Sequence, residues 1–294
     1  MTLRTFFTYL TFPVLLFTFV GLSAWGLDNG MPPARWGVLL TVLNFTVILV
    51  VEQVLPRNPR MNVFRDRQSL NDIGHGLLLA AAARPLGGSV AVVTVAILAS
   101  VRGSAGATWW PDSWYFEAQL ILGLLFYTFM DYWTHRALHG VDRLWWFHAV
   151  HHDTPQMHIM KSGRLHLGEE LYGALLRPIP LLVLGAPAEV LVWMELLSVF
   201  IGNLVHSNID QRFPSWAHYV LPTVQLHNLH HAADRRHQDS NYSGIWPIWD
   251  VLFGSFNHPD RNPLGNLGIE RSPVPRGFLG QLLFPFRAQV KPPQ

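Results

Sequence analysis

The chain has no cysteine in its 294 residues. That excludes disulfides, thiolate metal sites, iron–sulfur clusters and Cys-ligated haem, so any metal bound here sits on nitrogen and oxygen. Charge is sparse as well: Asp, Glu, Lys and Arg make up 14% of residues, against about 25% in soluble domains. The net charge is only +2, too little for a basic nucleic-acid surface, and no nucleic-acid partner is expected. There is no H-E-x-x-H, which a zinc protease would need, and no G-x-G-x-x-G to hold a nicotinamide or flavin dinucleotide. No internal repeat or low-complexity tract stands out. Apolar side chains are abundant, at 50% of residues, and the mean hydropathy of +0.20 points to a membrane protein.

Four long apolar segments come first: Thr5 to Leu27, Trp36 to Leu55, Ile73 to Val101 and Trp114 to Met130. Each is near or above the roughly 17–25 residues of a spanning helix. The third is interrupted by Arg84-Pro85 and Gly87-Gly88, as a kinked helix or two half-helices would be. A cleavable signal peptide is the rival reading of the first, with Arg4 as its basic flank and Leu22-Ser23-Ala24 as a cleavage site. Its length, and the second apolar segment that follows at once, favour a span. The loop after the second segment holds Arg57, Arg60, Arg65 and Arg67, whereas the loops after the first and third hold Arg35 and Arg102 alone. The positive-inside rule puts residues 56–72 in the cytoplasm, and Trp109, Trp110 and Trp114 fit an aromatic belt at the far interface.

Residues 171–205 are apolar again but broken by Arg177, Pro178, Pro180 and the turn Gly185-Ala186-Pro187. A single crossing here would put the polar stretches on its two sides in different compartments. A hairpin, either two crossings or a re-entrant pair, keeps them together. Glu195 inside it is either a functional group or, the favoured reading, a residue facing the protein interior. The patch Phe278–Phe286 is read as an interfacial anchor or as ordinary packing. The fold predicted is all-α and integral to the membrane, with about four transmembrane helices plus a re-entrant or short helical hairpin, capped by a cytoplasmic His-rich helical region. It divides into a transmembrane region (1–130), a di-metal catalytic region containing the hairpin 171–205 (131–258) and a C-terminal tail (259–294).

Three histidine clusters carry the chemistry: His135-x3-His139, His148-x2-His151-His152 and His227-x2-His230-His231. On a helix each cluster projects from one face. With 15 His in the chain, H-x-x-H-H is expected about 0.04 times by chance, and it occurs twice. Eight imidazoles are too many for one tetrahedral ion and suit a metal pair with open positions for oxygen or substrate. Asp131 lies four residues before His135, where a carboxylate can accept the spare ring N–H of a ligand and fix its tautomer. His206, at the end of the hairpin, is a weaker candidate. His166 is weaker again, and His75, His158, His218, His237 and His258 stand alone, as satisfied or exposed histidines do.

The strings Asp131-Tyr-Trp-Thr-His135-Arg-Ala-Leu-His139, Leu144-Trp-Trp-Phe-His148-Ala-Val-His151-His152, Arg164-Leu-His166, Val205-His206-Ser-Asn208, His227-Asn-Leu-His230-His231, Asn241-Tyr-Ser-Gly244 and Trp249-Asp250-Val-Leu252-Phe253-Gly254-Ser255-Phe256 follow in order. Together they resemble the fatty acid hydroxylase / sterol desaturase superfamily over residues 130–256, with Ser255 where Thr is usual. The resemblance implies integral-membrane, non-haem di-iron oxygenases that act on lipids. It implies that His135, His139, His148, His151, His152, His227, His230 and His231 ligate two Fe ions, and that His206 is a further ligand. Some members carry a second His four residues from that position; here Gly202 and Asp210 stand there, leaving Asp210, Asn208 or water to complete the site. Asn241 matches a family Asn with a supporting role.

Opening an unactivated C–H bond is cofactor chemistry that acid–base side chains do not perform. The reaction implied splits O2 with two electrons and two protons, placing one oxygen atom in the lipid and releasing the other as water. The electrons would come from a separate partner: a cytochrome b5, a ferredoxin with its reductase, or a reduced pterin. The site would lie on the cytoplasmic face of a bacterial inner membrane or of the endoplasmic reticulum. A lipid desaturase uses the same metals. A metal transporter is a different class, but it would place its ligands at mid-membrane, and these clusters lie in polar stretches beyond the spans. A membrane haem carrier would need His pairs inside the spans.

Overall fold

The computed structural model describes residues 2–83, 85–86, 88–89, 93–94, 97, 100, 109–262 and 264–287. Among them there is no strand, only the isolated bridges Pro56–Ile209 and Ala232–Leu267. The chain forms two compact units. One comprises Met1–Ser69, Thr154–Ser162 and Leu196–Gly268; the other comprises Leu70–Asp153, Gly163–Glu195 and Ile269–Gln294.

The first unit opens with two apolar helices, α1 (Leu3–Asp28) and α2 (Pro33–Val54). Thr2 caps α1, its hydroxyl accepting from the Thr5 amide at 3.2 Å, and Pro33 starts α2 where its missing N–H is no loss. The buried residues of α2 are Trp36, Leu40, Asn44, Ile48 and Glu52, one every fourth position, so one stripe faces protein and the remainder is free for lipid. Gly26 lets that stripe approach: a Cβ there would overlap the Trp36 indole, whose N–H donates to the Leu22 carbonyl at 3.1 Å. Polar members of the stripe are satisfied. Asn44 accepts from Asn203 at 3.0 Å, and Glu52 accepts from the Ile159 and Asn208 amides at 3.0 and 3.1 Å. After α2 the Arg-rich loop is tied down by Asp66, which takes Lys161 at 2.6 Å and His158 at 3.0 Å. Asn208 spends its side chain on the same loop, bonding Asn58 and Met61.

In the second unit, α3 (Ser69–Leu78) runs into a π-helical turn at Leu79–Ala83. The expected interruption at Arg84 and Gly87, and Arg102 beyond it, lie outside the described residues. The long helix α4 (Phe116–Gly140) follows and breaks at Val141 into α5 (Asp142–His152). Of the three belt tryptophans, Trp109 and Trp114 are exposed while Trp110 is buried and donates to Gln119 at 2.7 Å. Next come α6 (Leu167–Leu176), α7 (Ile179–Leu184) and α8 (Ala188–Val205), the last running on into the first unit. The break expected at Gly185 is present, with Gly185 at φ 85° closing α7. Glu195, expected to face inward, is instead exposed. Its charge is felt by the Arg177 guanidinium, whose ion pairs are with Asp131 and Glu170.

The first unit then carries the short helices α9 (Val224–His230), α10 (Arg235–Gln238) and α11 (Ile248–Phe253), and the second closes with α12 (Phe278–Arg287). Phe284 of α12 packs edge-on against Trp146 at 5.3 Å in a core with Trp145, Ala149, Val150 and Val274. Phe284 of the C-terminal patch therefore packs and braces α5, while Leu279 and Phe286 are exposed. Three described helices, α1, α2 and α8, are long and apolar enough to cross a membrane.

Candidate metal centre

Each unit presents its own set of imidazoles. In the second unit, α4 ends on His135 and His139 and the break at Val141 turns α5 back, so that His148 and His152 meet them. The ligand nitrogens of these four lie within 4.8 Å of one another. In the first unit, His206 follows α8 and meets His227 of α9 and His231 just after it within the same limit. His151 sits on α5 beside His148, and His230 on α9 beside His227, with ring centroids 5.3 and 5.6 Å apart.

The hydrogen bonds decide which nitrogen of each ring is available. The Nδ1 of His151 points to the Arg164 carbonyl at 3.3 Å, that of His206 to the Gly202 carbonyl at 2.6 Å and that of His230 to the Ser240 carbonyl at 2.7 Å. A carbonyl only accepts, so each Nδ1 carries the proton and each Nε2 keeps a bare lone pair. In His148 the Nδ1 meets Glu169 Oε1 at 2.7 Å. Its Nε2 lies 3.0 Å from the Nε2 of both His135 and His152. His227 Nε2 is likewise flanked, by His206 at 2.8 Å and His231 at 3.1 Å. One proton cannot serve two such contacts. A cation can, because cis nitrogens about 2.1 Å from one ion lie about 3 Å apart. The donor set therefore fits a nitrogen-ligated transition metal in each unit.

Electrostatics agree. Burial, helped by the Arg177 charge, pushes the His148 imidazole down to about 3, which keeps it neutral, as a ligand must be. Burial pushes the Glu169 carboxyl up to about 8 against the pull of His135 and Arg177. By itself that burial favours the protonated acid; a cation on His148 would favour the carboxylate, the expected support of a metal ligand. The sequence places that role on Asp131, whose Oδ1 pairs with Arg177 Nε at 2.9 Å; Glu169 is the carboxyl on His148 Nδ1. Glu169 gave one signal, an acidic pair (Glu169, Glu170) at the start of an apolar segment, and nothing in its spacing tied it to His148.

The remaining candidates have structural work. His166 caps α6, its Nδ1 accepting from Gly168 at 3.0 Å while Nε2 donates to the Leu282 carbonyl at 3.0 Å, so neither nitrogen is left for a metal. Asn208 holds the Arg-rich loop, and Asp210 pairs with Arg4 at 3.6 Å. Asn241, at φ 54°, donates to the carbonyls of Leu226 and Asn257 and accepts from the Asn257 amide, and so fixes the chain beside His227. Asp250 anchors the same loop, accepting from the Tyr242 and Ser243 amides and from Ser255 Oγ at 2.8, 2.8 and 2.7 Å. Arg164, fully buried, bonds the Val150 carbonyl at 2.9 Å and pairs with Asp72 at 2.9 Å, which fixes the backbone that faces His151.

Residues 120–255 match the fatty acid hydroxylase family. Over 257 residues the chain is 34% identical to the ornithine lipid hydroxylase OlsE of Rhizobium tropici, covering 85% of this chain and 76% of that protein. It is 28% identical over 146 residues to the alkylglycerol monooxygenase of Homo sapiens, covering 50% of this chain and 31% of that protein. A very-long-chain aldehyde decarbonylase, GL1-5 of Oryza sativa subsp. indica, is 29% identical over 44% of this chain and 22% of its own length. No solved structure gives a significant match.

Proposed function

This chain belongs to the fatty acid hydroxylase family, and we propose on that premise that it hydroxylates a C–H bond of a polar membrane lipid at a di-iron centre. It is an oxidoreductase of the membrane. The substrates to test first are those its relatives are named for, an ornithine lipid and an alkylglycerol ether. His135, His139, His148 and His152 would serve one ion and His206, His227 and His231 the other, with His151 and His230 completing them. The observation that carries this reading is the set of Nδ1 hydrogen bonds at His148, His151, His206 and His230, which leaves Nε2 to bind.

Bound iron would supply the oxygen activation that no side chain here provides. The protein's own residues do the rest. Glu169 holds the His148 ring in one tautomer, Arg164 fixes the backbone facing His151, and Asp250 and Asn241 hold the loop beside His227. The spans α1 and α2, with α4 as a further span and α6 to α8 forming the hairpin of residues 171–205, would keep the acyl chain in lipid, and the catalytic region 131–258 would open on the cytoplasmic side. There a separate electron donor, protein or reduced pterin, would dock.

The test is direct. Purified protein should contain about two irons per chain, and magnetic coupling between them would report a shared centre. Lipid mass spectrometry of cells with and without the gene should show a product heavier by one oxygen. A product lighter by two hydrogens would mark a desaturase. The His151→Ala variant should lose metal and product while staying in the membrane. Full activity in that variant would refute the ligand assignment.

A further inference from the structure

The first unit carries a cleft of about 290 Å³ that the metal chemistry does not use. Its floor is Phe12 and Ala217, both buried, and its walls include Tyr9 and Phe17 of α1 and Trp216 of the turn Ser215–Tyr219, all three exposed. Arg212 sits on its lining. The volume is at the low end for small-molecule sites, and residues 9 to 17 cover about 12 Å along the helix. The opposite wall is held in place: the Arg212 amide donates to the Thr8 carbonyl at 3.1 Å, and Phe213 packs edge-on against Phe12 at 5.2 Å.

Polarity along the cleft is graded. Arg4, in the first turn of α1, pairs with Asp210 and donates to the Pro56 carbonyl, so this end of α1 meets the polar loops. From there residues 9–17 run into a helix apolar enough to span a bilayer. The Arg212 guanidinium is exposed and makes no ion pair among the described residues. A cation at the polar end of an apolar trough, rimmed by an exposed Trp, matches an anionic headgroup above an acyl chain.

We propose that this cleft binds a bilayer phospholipid of anionic headgroup, one acyl chain lying along Tyr9–Phe17 and the phosphate on Arg212. The exposed walls suit a lipid held at the protein surface, not a substrate on its way to metal. The assignment is independent of the oxygenase reading.

The test uses the full-length protein in nanodiscs with a phosphatidylglycerol bearing a photoactivatable acyl chain, and adducts are mapped by peptide mass spectrometry. Adducts should concentrate on residues 9–17 and 212–221. Arg212→Glu should lower this labelling at least roughly fivefold, from about 1 kcal/mol per headgroup contact. It should leave labelling by a diacylglycerol with the same chain nearly unchanged, and iron content should stay as in the parent. Ala217→Leu, which fills the floor, should lower labelling by both probes; if that variant fails to fold, Arg212→Glu decides alone. Adducts spread evenly over the exposed faces of α1 and α2, or phosphatidylglycerol labelling that ignores Arg212→Glu, would overturn the proposal.

Discussion

Glu169 is the carboxyl that supports the second-unit imidazoles at His148. It holds His148 through Nδ1, and loss of such a partner typically lowers metal affinity about 10- to 100-fold. Glu169→Ala should lose iron to a chelator faster by that factor, while Glu169→Gln, whose amide oxygen can still accept, should fall between the two. Asp250 gives a second expectation. Its contact with Ser255 Oγ is a hydrogen bond to a charged group, worth about 1.5–3 kcal/mol. Ser255→Ala should lower the unfolding free energy by that amount in a denaturant titration, and Ser255→Thr, which keeps the hydroxyl, should not.

At the scale of elements, α1 and α2 meet through Gly26. Gly26→Ala should destabilise by about 1–3 kcal/mol through overpacking, and Trp36→Leu should relieve it in the double variant; thermal melts of the four proteins test the pair. The Arg-rich loop has a pH signature. Although burial opposes it, His158 and Lys161 hold the Asp66 carboxyl well below the usual carboxylate range. A folded-state pKa below the unfolded one adds stability above the ordinary carboxylate pKa and loses it as pH falls through the folded value. The loss of Tm in Asp66→Asn should therefore be full at pH 7 and shrink steadily below pH 4. Elements of this kind were only partly legible in the sequence. Apolar length and His spacing marked α1, α2, the Gly185 break and the three clusters, because period and punctuation are local. The pairings of Glu169 with His148, Asp131 with Arg177 and Asn208 with the loop after α2 join residues 21, 46 and 150 positions apart, and no local pattern announces them.

The whole molecule is suited to a topology test by the lack of cysteine noted at the outset. A single Arg65→Cys, placed on an exposed position of the loop after α2, should react with a membrane-impermeant maleimide only when the cytoplasmic side is opened. Labelling of intact cells would reverse the orientation drawn from the loop arginines. The hydrogen bonds behind His151, His206 and His230 have a consequence at this scale too. Their acceptors are main-chain carbonyls, so the rings are aimed by the helices and loops themselves, before any ion arrives. Stripping the metal should then leave the circular dichroism spectrum unaltered, and ferrous ion added back should restore turnover without a refolding lag.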